Sequence, residues 1–188
     1  MRGTAALIAA AVLAFAMPAI AFAETAPAQH AAPAQTPGAI DETKVFNEFK
    51  AVIPATAVKT IDDLAAKQQE IASGKSKAVI IDIRREAEFD TGHIKNSNNI
   101  EAEMAYLVPK KISDPNTEIW VFCRTKHRAT YFTGMLYKYG YKNVYMVDGG
   151  IKAWAEKGLP LVNKYLGEIK VAKYEDKPAE EFQFRENK

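Results

Sequence analysis

Three short apolar runs constrain this chain more than any other feature: "AVIIDI" at 78–83, "EIWVFC" at 118–123 and "NVYMVDGG" at 143–150. The first is rich in β-branched residues, too short for a helix and apolar on both faces, and the other two repeat its pattern. Such runs are expected to be strands buried on both sides, as in a parallel sheet, rather than strands with one wet face. "NNI", around residue 100, reads as a further, very short strand. Helical spacing fills the gaps. Ile61, Leu64, Ala65, Gln68 and Ile71 form one face, with Thr60 and Asp63 as a weak capping box and Gly74 as a stop. Ala129, Phe132, Leu136 and Tyr139 form another, closed by Gly140. "IKAWAEKGLP" is a short helix with Ile151 and Trp154 on one side, Gly158 at its end and Pro160 beyond. Buried strands alternating with helices predict a three-layer α/β domain with a mainly parallel sheet. In such sheets ligands sit at the carboxyl ends of the strands, beside helix N-termini.

The chain has 188 residues, enough for one ordinary domain plus extensions, and its 26% charged and 48% hydrophobic content is that of a soluble globular protein. A net charge of +2 is too small for bulk attraction to nucleic acid, so the basic residues act locally. Residues 1–23 have a basic start at Arg2, an apolar stretch from Ala5 to Met17 and an A-x-A ending at Ala21 and Ala23, a secretory cleavage pattern. We expect export to the periplasm and cleavage, with an uncleaved membrane anchor as the alternative. Without Arg2, 24 basic residues face 23 acidic ones. Residues 24–40, rich in Ala and Pro, form a linker that cannot bury a core. Residues 41–55 are an N-terminal extension compatible with a short amphipathic helix through Val45, Phe46 and Phe49. Residues 163–188 are a charged tail carrying Phe182 and Phe184.

The chain holds one cysteine, Cys123, at the end of the second apolar run. In an exported protein it has no internal disulfide partner, so any sulfur chemistry ends on another molecule. A buried, inert thiol is the bland reading. The neighbours "CRTKHRA" favour another: charged residues demand water, so the thiol is expected to be exposed. A free thiol ionises near 8.5, and a helix N-terminus with adjacent cations lowers that value. Loop N–H groups turning into a helix also converge on anions. Cys123 is therefore a candidate nucleophile in an anion-binding cradle.

Three ordered stretches carry a resemblance. "DIRREAEFDTGHIKNSNNI" matches a D-x-R-x-x-x-E-[FY]-x-x-G-H-I pattern through Asp82, Arg84, Glu88, Phe89, Gly92, His93 and Ile94. "CRTKHRA" is similar to an active-site loop opened by Cys123 and closed by Arg128. "DGGIKAWAEKGLP" follows D-G-G-x-x-A-W-x-x-x-G-L-P nearly position by position. Over residues 56–162 the chain resembles the single-domain rhodaneses. That resemblance implies a five-stranded parallel sheet flanked by helices, and a cysteine that takes a sulfane sulfur from a donor and passes it on as a persulfide. Phosphatases and an arsenate reductase share the fold by resemblance, but their cradle has five residues between Cys and Arg. Here that would require Arg at 129, where Ala129 stands, so the tighter loop favours sulfur transfer. Two departures are visible. Lys126 stands where the family commonly has Gly, and Lys95, Asn96 and Ser97 replace the usual Pro-Gly-Ala, so that turn is expected to differ.

Cys123 is thus expected to be catalytic. Arg124 and Arg128 are assigned to an anionic, thiosulfate-like donor, for which a guanidinium fork is suited. Thr125, Lys126 and His127 complete the substrate-binding loop, with His127 as a candidate proton carrier. Main-chain N–H groups of residues 124–128 are expected to hold the sulfur. Asp82, Arg84, Glu88 and His93 are read as supporting residues, an ion-pair network and a structural histidine rather than acid–base groups. No metal-ligand spacing, nucleotide loop or cofactor motif is present in the sequence. The expected acceptor is cyanide or an external thiol. No nucleic acid and, after cleavage, no membrane are expected as partners, whereas a protein partner fits the linker and tail. The rival from another class is a non-catalytic binding module on the same fold.

Overall fold

The computed structural model describes residues 41–171. The expected export signal at 1–23, the linker at 24–40 and the end of the charged tail, with Phe182 and Phe184, lie outside the described residues. The elements in chain order are α1 (Glu42–Ala51), β1 (Val58–Lys59), α2 (Ile61–Ala72), β2 (Val79–Asp82), α3 (Glu86–Thr91) and β3 (Ser97–Asn99). A 3-10 segment (Ala102–Leu107) and α4 (Val108–Lys111) follow. The chain continues through β4 (Ile119–Phe122), α5 (His127–Lys138), β5 (Val144–Val147), α6 (Gly150–Glu156), β6 (Leu161–Asn163) and β7 (Gly167–Ile169).

The three apolar runs are β2, β4 and β5, and they lie side by side. The sheet order is β1-β5-β4-β2-β3, with every pairing parallel. β4 is buried at all four positions because it has a strand on each side and a core on each face. One core gathers Ile81, Val121, Phe132, Leu136 and Met146, and the other gathers Leu64, Ile80, Trp120, Phe122 and Trp154. Burying a side chain such as Phe132 or Leu136 contributes about 1.5–3 kcal/mol, so the inner face of α5 anchors that helix to the sheet. Because all five strands run the same way, Asp82, Cys123 and Asp148 emerge at one edge.

The local punctuation has direct causes. Thr60 Oγ1 accepts from the Asp63 amide at 3.2 Å, and Asp63 Oδ2 accepts from the Thr60 amide at 2.8 Å, completing the capping box that starts α2. Trp154 is buried in the second core, and its indole N–H donates to the Pro160 carbonyl at 2.9 Å. One expectation is corrected. Tyr139 does not share the buried face of α5: it is exposed, because the helix ends at Lys138 and the chain reverses at Gly140, φ +98°. Tyr141 turns back into the core in its place. The Lys95–Ser97 turn needs no glycine. Asn96 stands where the resemblance has glycine and is left-handed, φ +69°, a conformation that Asn tolerates better than most residues. After α6, β6 and β7 pair as an antiparallel hairpin, which bridges to His93 through Val162.

Candidate active site

Cys123 follows the last residue of β4 and precedes α5 by three residues. An α-helix leaves its first N–H groups without intrahelical acceptors. In α5 the first such bond is Thr130 N–H to the Lys126 carbonyl at 2.9 Å. The amides before it are free for other use, and two of them are aimed at the thiol. Backbone N–H groups of Ala129, Thr125 and Arg128 hydrogen-bond the Cys123 sulfur. The expectation of a main-chain cradle covered residues 124–128; the donors found for the sulfur include Ala129, one residue further into the helix.

The cradle is closed from below by α6. Ile151 N–H donates to the Cys123 carbonyl at 2.9 Å and Lys152 N–H donates to the Arg124 carbonyl at 3.0 Å. This approach requires the second glycine of "DGG". Gly150 has φ +56°, and a Cβ there would lie 2.4 Å from the Cys123 carbonyl oxygen and 2.7 Å from both the carbonyl carbon and oxygen of Arg124. The motif is thus a contact surface for the loop's backbone.

The thiol is buried, at 1% exposure, where the sequence predicted an exposed one. The charged neighbours do reach water, but they do so by turning outward while the loop backbone wraps the sulfur. Burial pushes the Cys123 thiol above its ordinary value. The amides of Ala129, Thr125 and Arg128 and the charge of Arg128 pull the other way without prevailing. The depressed value that cations alone would give is therefore corrected: the resting sulfur holds its proton.

Three of the loop's basic side chains are already matched by carboxylates from three separate segments of the chain. Arg128 forms a fork with Glu88 of α3, Nη1 to Oε2 and Nη2 to Oε1 both at 3.2 Å. Burial disfavours both charges, yet the pairing outweighs it: the Glu88 carboxyl is held low, helped by the Arg85 amide, and the Arg128 guanidinium is held high. His127 Nε2 lies 3.0 Å from Glu42 Oε1 of α1, and its ring stacks on Phe46 at 4.7 Å. Lys126 Nζ lies 3.5 Å from Asp148 Oδ2. Lys126 also has φ −153°, so it avoids the left-handed region and its strain. Arg124 is half-buried at the loop's start, and its carbonyl is one of the two that α6 holds. The carboxylate partners Glu42 and Asp148 escaped the sequence reading. Asp148 begins the "DGG" motif and Glu42 precedes Phe46 by one helical turn, so each carried a weak positional signal.

Asp82, Arg84 and His93 sit beside the loop in a buried network. The Arg84 guanidinium donates to Asp82 Oδ2 at 2.6 Å, to the Glu88 carbonyl at 3.0 Å and to the Gly92 carbonyl at 2.8 Å. Burial raises the Asp82 carboxyl, and Arg84 opposes that rise. Asn99 ties the same turn through the Asp82 and Arg84 carbonyls. The network fixes the backbone from which Glu88 reaches Arg128. His93 stacks on Phe89 at 3.7 Å, with Nδ1 3.1 Å from the Phe89 carbonyl oxygen. Among the described residues no group of three His, Cys, Asp or Glu side chains is placed to hold a metal ion.

Comparison with known proteins agrees with this geometry. Residues 63–157 match the family described as rhodanese-like domain. A sulfurtransferase of Allochromatium vinosum is 31% identical over 86 residues, covering 45% of this chain and 78% of that protein. An uncharacterized Bacillus subtilis protein, YqhL, is 29% identical over 90 residues, covering 48% of this chain and 71% of its own. Among solved structures, the polysulfide-sulfur transferase homodimer of Wolinella succinogenes aligns with a TM-score of 0.51 at 25% identity, over 66% of this chain and 88% of that one.

Proposed function

The chain belongs to the rhodanese-like domain family, and from that premise we propose that it is a sulfurtransferase working through a persulfide on Cys123. The observation that carries this reading is the convergence of three backbone amides on the one sulfur, inside a six-residue loop closed by Arg128. A loop of that length leaves room for an added sulfur atom, whereas a tetrahedral oxyanion needs a longer cradle. Cys123 attacks the sulfane sulfur of an anionic, thiosulfate-like donor. The donor's sulfur–sulfur bond breaks, its electron pair leaves with sulfite, and the proton stays on the new Cys123 persulfide. Cyanide or an external thiol then attacks the outer sulfur, and the Cys123 sulfur departs as thiolate.

In this reading Arg124, Thr125, Lys126, His127 and Arg128 form the donor site. Arg128 positions the loop through Glu88 as well as facing the sulfur. Asp82, Arg84 and His93 support it. The reaction takes place in the periplasm after residues 1–23 direct export. A second reading, a non-catalytic binding module, is favoured by one observation: Lys126, His127 and Arg128 already have carboxylate partners, with which an anionic donor must compete.

Intact mass after incubation with thiosulfate separates the two. The catalytic reading expects one added sulfur atom on wild type, none on Cys123→Ser, and loss of that sulfur on adding cyanide. Wild type that stays unmodified with thiosulfate and with an organic persulfide, while Cys123 is reduced, leaves the binding module.

A further inference from the structure

α1 lies outside the residues matched to the family, and none of its residues is buried. It is nevertheless held to α5 at several points. Glu42 meets His127 at 3.0 Å and accepts a hydrogen bond from the Tyr131 hydroxyl. Phe46 stacks on His127, and Phe49 packs on Tyr131 with its ring centroid 5.2 Å away. Gly134 makes the seat possible: a Cβ there would come within 2.7 Å of the Phe49 carbonyl oxygen. A helix with no buried residue, fastened by polar and aromatic contacts, adds little core. It does fix a wall.

Behind that wall lies a cavity of about 470 Å³, between α1, the segment leading into β1, the start of α5 and the carboxyl end of β5. This volume is within the range of about 300–1,000 Å³ common for small-molecule sites. Its apolar lining is Phe46, Ile53, Val58 and Met146, of which Val58 is 40% exposed although it belongs to the sheet. Its charged lining is Lys50, Lys126 and Asp148. Asp148 matches Lys126 only at 3.5 Å, with both side chains about half exposed, and Lys50 has no carboxylate partner among the described residues. The lining charges therefore leave one positive charge over.

We propose that this cavity is a binding site for a small organic monoanion, with its carboxylate or sulfonate head at Lys50 and Lys126 and an aliphatic or aromatic body against Phe46, Ile53, Val58 and Met146. A cation would meet two lysines. A bare inorganic anion would leave the apolar walls uncovered. The site shares Lys126 with the proposed donor loop but does not include Cys123, so its occupancy can be measured in a Cys123→Ser protein that cannot transfer sulfur.

The test is a titration of the purified protein with 4-phenylbutyrate, followed by amide chemical shifts, with acetate and 4-phenylbutylamine as controls for body and charge. Saturable shifts are expected at Phe46, Val58, Lys126 and Met146, with a Kd on the order of 1 mM or tighter. The amine should bind at least about tenfold more weakly, since a hydrogen bond to a charged group is worth that much, and acetate at least as weakly, since it leaves the apolar walls uncovered. Lys50→Glu, an exposed change, should weaken 4-phenylbutyrate about tenfold and leave the rest of the spectrum in place. Cys123→Ser should bind like wild type. Shifts confined to other surfaces, equal binding of the amine, or an unchanged affinity in Lys50→Glu would each overturn the proposal.

Discussion

Replacing Gly150 with alanine should damage this protein more than its small size suggests. The left-handed backbone at φ +56° costs a residue with a Cβ about 1–2 kcal/mol. The new methyl would also sit 2.4–2.7 Å from three main-chain atoms of Cys123 and Arg124, none of which can swing away as a side chain can. Relief requires α6 to move from the loop. That stretches the hydrogen bonds from Ile151 to Cys123 and from Lys152 to Arg124, each worth about 1 kcal/mol net and more if a buried carbonyl is left unpaired. The expected loss is about 3–5 kcal/mol, a large fraction of a typical domain's stability. Gly158→Ala is the matched control: φ is +69° and a Cβ would meet nothing within 4 Å, so only the backbone strain of about 1–2 kcal/mol applies. Urea unfolding of the two variants reads the difference. With slopes of about 1–3 kcal/mol/M, the Gly150→Ala midpoint should fall roughly 1 M or more below that of Gly158→Ala. Equal midpoints at equal slopes would refute the claim that α6 bears directly on the loop backbone.

Two further predictions follow from the titrating groups. Burial keeps the Cys123 thiol protonated, so its alkylation by iodoacetamide should be slow at neutral pH and still rising above pH about 9, past the ordinary thiol value; a plateau reached by pH about 7 would contradict the burial argument. The Tyr131 phenol, donating to Glu42, is pushed up to about 12. Ultraviolet titration should therefore show an additional tyrosine ionising near pH 10 in Glu42→Ala relative to wild type, and superimposable curves would mean that α1 does not hold Tyr131.

The central layer was legible because burial on both faces leaves an unambiguous signature in short β-branched and aromatic runs. β1 was not: Val58–Lys59 is two residues long, and its pairing with β5 depends on the chain's return rather than on any local pattern. Cys123, its loop and the closing Arg128 could be placed from sequence, as could the Asp82–Arg84 network. The exposure of the thiol could not, since it depends on which way the amides of α5 point. The charge state of the loop was hidden for a related reason. Its basic residues are contiguous, but their partners Glu42, Glu88 and Asp148 come from three distant positions and meet only in three dimensions. Gly134 was the overlooked local signal, because a glycine inside a helix often marks the close approach of another backbone.

The two-residue strand β1 has a consequence for how this protein can be cut. Residues 63–157 delimit the family, but an excised fragment with those limits would lose β1 and leave one side of β5 without its partner at Met146 and Val147. Both residues are buried, and the N–H and C=O groups left unpaired there would extend an apolar edge. Such an edge is a template for strand addition by another copy. The same cut removes Val162, whose backbone closes the bridge to His93, from the opposite end. The unit that resists aggregation is therefore larger than the unit that inheritance defines, and the short flanking segments protect the sheet as much as they surround the loop.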